Sequence, residues 1–205
     1  MTHEEKIKRI VGELKKLFPE VKTALDYNSD FNLLVAVMLS AQTTDKQVNL
    51  VSPPLFKDYR MSSDYVKLEE GDLEKFINKI GLYRGKARNI LKTSKIIHDK
   101  YNDKLPDNMT DLVALPGVGR KTANIVLSVI YNKNEGIAVD THVKRLSQLF
   151  GFTTNSNPDK IERDLMDIVP RSEWKDFTLR MIDYGRKYCP AHCKHTDCPL
   201  KEFII

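Results

Sequence analysis

The sequence predicts an all-α protein, and three observations carry that prediction. Apolar residues recur at spacings of three and four almost throughout the 205 residues, which is the period of a helix face. Runs that alternate with the period of a strand are few. Cap residues and glycine or proline stops punctuate the chain at helical intervals. With 41% hydrophobic and 30% charged residues, the composition is that of an ordinary folded chain. MTHEEKIKRI has no apolar core such as a signal peptide carries, and no run approaches the roughly 18 apolar residues of a membrane span. The expectation is a cytoplasmic protein. A net charge of +5 suits a polyanionic partner without proving one.

The elements follow in order. Residues 3–17 place Ile7, Ile10, Val11 and Leu14 on one helix face, and Phe18-Pro19 ends it. Asp30 is the expected cap of FNLLVAVMLSAQ, whose apolar run from Leu33 to Leu39 reads as a helix buried all round. Thr44 or Asp45 opens a third helix through Leu50, which Pro53-Pro54 should break. Ser62-Ser63-Asp64 opens a short helix, Glu70 to Ile80 forms another, and Gly81 precedes YRGKARNILKTSKIIHDKY. Thr110-Asp111 is the expected cap of DLVAL, and Lys121 to Tyr131 is a further helix. Asp140 caps THVKRLSQLF with Gly151 behind it, Pro158 starts DKIERDLMDIV, and Ser172 is the expected cap of the last long helix. IGLYRGKARNI and PGVGRKTANI share a pattern of glycine turn, basic residue and helix, which suggests two hairpins facing one target.

LPGVGRKTANIVLSV joins two helices through Gly117 and Gly119, and Val118 between them anchors the turn. The first N–H groups of the second helix, from Arg120, have no partner within the helix. Two side chains fewer at the turn let a phosphate approach that positive end. This is the helix-hairpin-helix signature of sequence-independent DNA binding. Lys121 stands in the first helical turn, where a cation is disfavoured. An amine nucleophile must be partly neutral near pH 7, and for a lysine that costs roughly 4 kcal/mol. A helix dipole supplies about 0.3–1 kcal/mol of it, so a water-poor cleft is expected around the amine. Asp140 lies nineteen residues on. The intervening helix carries the chain about 16 Å away, and eight extended residues span up to about 26 Å. Asp140 can therefore return beside Lys121, with Ile137-Ala138-Val139 as a buried return segment.

Taken with FNLLVAVMLSAQTTDKQVN and IGLYRGKARNI, these segments resemble, in order and along nearly the whole chain, the endonuclease III family of helix-hairpin-helix (HhH-GPD) DNA glycosylases. The resemblance implies an all-α, two-lobed fold. One lobe is a six-helix barrel over about 22–132, with the hairpin at about 108–130; the other joins 1–21 to 133–205. It implies a monomer acting on double-stranded damaged DNA as a base-excision-repair glycosylase and AP lyase for oxidised pyrimidines. Lys121 would attack C1′ of an extruded nucleotide, assisted by Asp140, with no catalytic metal. Gln42 and Leu82 would fill the vacated space in the duplex. Arg84, Lys86 and Arg88 would lie near the DNA backbone, and Gly117, Val118, Gly119 and Arg120 at a phosphate.

The tail departs from the family. All three cysteines fall in the last seventeen residues, a count that argues for a metal site or its remnant. By the resemblance, most relatives hold a [4Fe–4S] cluster on C-x6-C-x2-C-x5-C. Here Cys189, Cys193 and Cys198 stand as C-x3-C-x4-C, His195 takes the place of one family cysteine, and the fourth falls at Ile204. The three cysteines with His192 or His195 can still bind a cluster or zinc, and a loop without metal is an equal alternative. Two other functions compete. A monofunctional mismatch or alkylated-base glycosylase would leave abasic sites unnicked, and lysine at 121 speaks against it. A non-catalytic DNA-binding module would bind damaged and intact duplex alike.

Overall fold

A computed structural model of the chain describes residues 3–205. Among these residues there are eleven α-helices and no strand. The chain forms two compact units, Thr23–Lys133 and, drawn from both ends, Met1–Lys22 with Asn134–Ile205.

The unit Thr23–Lys133 is built around α2 (Asp30–Ser40), whose residues 31–39 are all buried. Each large apolar side chain buried there contributes about 1.5–3 kcal/mol. Around it pack α3 (Asp45–Asp58), α6 (Tyr83–Tyr101) and α8 (Arg120–Ile130). The shorter α4 (Ser62–Tyr65), α5 (Glu70–Ile77) and α7 (Met109–Val113) close the remaining sides. Asn32, the polar residue in the buried run, is fully satisfied: its carboxamide bonds Asn28, Tyr59 O and the Tyr65 hydroxyl.

The other unit sets Ile7, Ile10 and Leu14 of α1 (His3–Leu17) in one core with Trp174, Phe177, Met181 and Tyr184 of α11 (Trp174–Lys187). α9 (Thr141–Leu149) packs on both α11 and α10 (Pro158–Ile168). Residues 137–139 are buried, and Thr178 donates its hydroxyl to Ala138 O.

Several local expectations need correction. Ser29, not Asp30, caps α2, accepting from Asn32 N–H. Asn108, not Thr110, caps α7, because its side chain reaches Asp111 N–H. Ser172 lies in a 3-10 turn, Arg171–Glu173, that leads directly into α11 without a side-chain cap. Pro53 and Pro54 lie inside α3 instead of breaking it. Both prolines are exposed, on the face opposite the buried Val51, Leu55 and Phe56, so the helix keeps its core contacts across the missing N–H groups.

Candidate active site and metal-ligand cluster

The hairpin from Leu115 to Thr122 is a turn whose two glycines do different work. Gly117 has φ +79, and a side chain there would strike Asn89 on α6 at 2.9 Å. Val118 N–H returns to Leu115 O at 3.1 Å, and Thr93 Oγ1 donates to Pro116 O. Gly117 is thus demanded by the fold. Gly119 is not: its φ is −92 and an added Cβ would meet nothing within 4 Å. It is the N-cap of α8, has no side chain to cap the helix, and no acidic residue stands in the first turn. An exposed positive helix end with open space before it is an anion site in waiting.

Val118 needs correction as a DNA contact. Its side chain is buried in the core and its N–H is used within the turn, so neither is offered outward. Gly119 and Arg120 are exposed. Lys121 is exposed as well, not enclosed in a water-poor cleft. The reason is helical phase: Ala123, Val126 and Leu127 turn one face of α8 to the core and leave Lys121 on the other.

A second group forms where two turns of the same unit meet. Gln42 follows α2 and Leu82 precedes α6; both are exposed, and both hold left-handed backbone, with φ +55 and +58. That conformation costs a non-glycine residue about 1–3 kcal/mol, and functional sites are where such strain collects. Leu82 is 67% exposed, an apolar tip with nothing in its own chain to cover it. A side chain at Gly81 would lie 3.8 Å from Gln42 O, so the two turns are in contact.

Lys86 joins these turns, and its expected place near DNA needs correction. It is 8% exposed, and its ammonium donates to Leu39 O (2.8 Å), Ala41 O (2.6 Å) and Thr43 Oγ1 (3.2 Å). It thereby caps the C-terminal carbonyls of α2 from α6 and clamps the Gln42 turn against the Leu82 turn. Burial holds its pKa below the usual lysine value. Gln47 Nε2, donating to Lys79 O, adds a second tie. The clamp had a signal in the sequence: Lys86 lies one turn before the buried Ile90, on the same stripe. Arg84 is exposed and lies over the Tyr83 ring at 5.6 Å, while Arg88 pairs with Glu70.

Asp140 belongs to the other unit. It is the N-cap of α9, and its Oδ1 accepts Val143 N–H at 2.8 Å. It remains half-exposed.

The tail gathers Cys189, Cys193, His195 and Cys198, whose ligand atoms all lie within 4.8 Å of one another. His195, not the exposed His192, faces the thiols. This donor set can hold a metal. Its donors stand closer together than the four thiolates of a cubane, which each sit on a different iron about 6 Å apart.

The pattern of the HhH-GPD superfamily base excision DNA repair proteins matches residues 35–171. Endonuclease III of Synechocystis sp. is 43% identical over 87% of this chain and 81% of its own. A solved non-covalent endonuclease III–DNA complex superposes with a TM-score of 0.93 at 42% identity, covering 100% of this chain and 96% of that one. A trapped endonuclease III–DNA covalent intermediate, the estranged-adenine complex, gives 0.93 at 43% identity with the same coverage. The chain belongs to the HhH-GPD superfamily of base excision DNA repair proteins, among its endonuclease III members.

Proposed function

We propose that this protein removes oxidised pyrimidines from duplex DNA and then cleaves the strand at the abasic site, through a Schiff base on Lys121. The single observation that carries the reading is the exposed, uncapped N-terminus of α8 with Lys121 in its first turn. A DNA phosphate satisfies the orphan N–H groups and sets the sugar's depth against the helix. The DNA itself then supplies the water exclusion that the free protein does not give Lys121.

In the chemistry, the Lys121 amine attacks C1′ as the bond to the base breaks, and the base leaves with the electron pair. The bound amine gives up a proton, the C1′–O4′ bond breaks with its electron pair going to O4′, which takes up a proton, and the opened sugar is left as an iminium. The iminium acidifies C2′–H; loss of that proton expels the 3′ phosphate, and water releases the lysine. Asp140 is assigned the carboxylate role, stabilising positive charge on the sugar or taking the lysine proton. Its attachment at the rigid start of α9 supports that role, because the cap fixes its rotamer. Leu82 and Gln42 fill the gap left by the extruded nucleotide. No metal enters any step. Among the described residues no helix is long and apolar enough to cross a membrane.

Borohydride reduction on thymine-glycol duplex tests the reading. A covalent protein–DNA adduct is expected with the native chain and none with Lys121→Ala, a loss of at least about 10³-fold in trapping. An adduct that persists in Lys121→Ala moves the nucleophile elsewhere. Base release that leaves abasic sites intact favours the monofunctional reading.

A further inference from the structure

The tail cluster differs from a cluster-binding loop in more than its count of cysteines. Cys193 Sγ and Cys198 Sγ are 3.1 Å apart, and His195 Nδ1 lies 3.5 Å from Cys189 Sγ and 3.8 Å from Cys198 Sγ. Bonds of about 2.3 Å to sulfur and 2.0–2.1 Å to nitrogen put the corners of a tetrahedron about 3.5–3.8 Å apart. The observed separations, with all four ligand atoms within 4.8 Å of one another, bracket that spacing, so the donors gather on the scale of a single ion. They come from a span of ten residues, 189–198, so the four donors are gathered by one local loop.

Three features prepare the group for a cation. His195 takes a left-handed backbone, φ +60, which turns its ring toward the thiols. Its own N–H donates to Cys193 Sγ at 3.3 Å, which fixes that sulfur beside the ring. Arg145 of α9 donates to Cys189 O at 2.6 Å and sets a second nitrogen 3.6 Å from Cys189 Sγ. Three thiolates, one neutral imidazole and a divalent ion carry one net negative charge, and the Arg145 guanidinium offsets it. The site is also buried enough to matter: Cys189 and Cys198 belong to the same core as Leu200 and Phe203.

We propose that Cys189, Cys193, His195 and Cys198 bind a single zinc ion as a tetrahedral Cys3His site, in place of the [4Fe–4S] cluster that the family resemblance implies. With all four positions filled by protein, the zinc has no open coordination site and is structural. It staples the segment from 189 to 198 beneath the 3-10 turn Lys201–Phe203, which packs on α1 through Arg9 to Glu202 and to the Phe203 ring.

The test is elemental analysis of the native chain, purified without added metal, together with sulfide content and an absorption spectrum. One zinc per chain, no acid-labile sulfide and no band near 400 nm are expected. Exchange with Co²⁺ should give the intense visible bands of a tetrahedral thiolate site. His195→Ala should lose at least about tenfold in zinc affinity, whereas His195→Cys should retain the ion. Removing zinc from the native chain with a chelator should lower its melting temperature, and adding zinc back should restore it. Four irons with four sulfides would overturn the proposal. So would three titratable thiols with no metal, or a Cys193–Cys198 disulfide. None of these readouts involves DNA, so the proposal stands or falls apart from the excision reading.

Discussion

IGLYRGKARNI and PGVGRKTANI look like two copies of one turn, yet they send their lysines to opposite fates. In the second, glycine takes the left-handed position, Gly117, and two residues separate it from α8. In the first, leucine takes it, Leu82, and α6 begins at the next residue. The second turn presents a bare helix end to solvent, with Lys121 exposed beside it. The first presents an apolar side chain and buries its lysine, Lys86, under three oxygen acceptors. Similar letters thus serve a solvent-facing turn in one place and a strained, internally clamped turn in the other. What separates them is helical phase: Lys86 shares the buried stripe of Ile90 and Ile97, and Lys121 is off the stripe of Ala123 and Leu127.

The contrast can be broken most sharply at the lysines. Lys121→Ala should abolish Schiff-base trapping and leave thermal stability unchanged. Lys86→Met should do the reverse: stability falls by about 1–3 kcal/mol, because carbonyls at the end of α2 lose their donor, and trapping persists at a reduced rate. Denaturant titration beside the trapping assay reads both. The same pair of chains checks the titration of Lys86. Its pKa in the folded protein is depressed, so the native stability carries a component present above 10.5 that is lost as pH falls through the lower folded value. That alkaline rise should vanish in Lys86→Met.

A smaller effect separates the two glycines of the hairpin. Gly117→Ala must strain a positive φ and displace Asn89, and should cost about 1–3 kcal/mol of stability. Gly119→Ala should leave stability within about 0.5 kcal/mol of native and weaken duplex binding about tenfold. If both glycines respond alike, Gly119 is a folding residue and the phosphate site fails. The smallest shift is expected at Leu82. Leu82→Gly relieves the left-handed strain, so stability should hold level or gain up to about 1 kcal/mol, while excision from a matched duplex slows. Excision unchanged from native would remove Leu82 from the gap-filling role.

Much of this was legible beforehand because it rests on local rules. The helices follow from apolar period, and Asp140 and Thr44 act as the caps their positions suggest. The exposed tip at Leu82 was readable from its place beside Gly81. What was not legible depended on neighbours distant in sequence. The clamp on Lys86 needs carbonyls 45 and 47 residues away. The exposure of Lys121 contradicts the water-poor cleft argued from its chemistry, because the free protein need not carry an environment that bound DNA can bring. His195, by contrast, was readable from its place at a family cysteine position, and it is the histidine that joins the thiols; the left-handed backbone that accompanies it was not.

The two prolines inside α3 carry a consequence for local opening. Neither has an amide hydrogen, so the rungs that would reach Asn49 O and Leu50 O do not exist. Side chains bridge the gap instead: Asn49 grips Ala24 O and Asp26 N–H, and Val51, Leu55 and Phe56 hold the core face. The half before the gap carries Gln47, which ties to the turn of Leu82; the half after it carries Phe56, whose carbonyl accepts from Asn28. With two adjacent rungs missing, the helix frays from the middle as well as from its ends. Amide hydrogen exchange should therefore sort α3 into two protection classes with a boundary at 53–54, where an unbroken helix would show one.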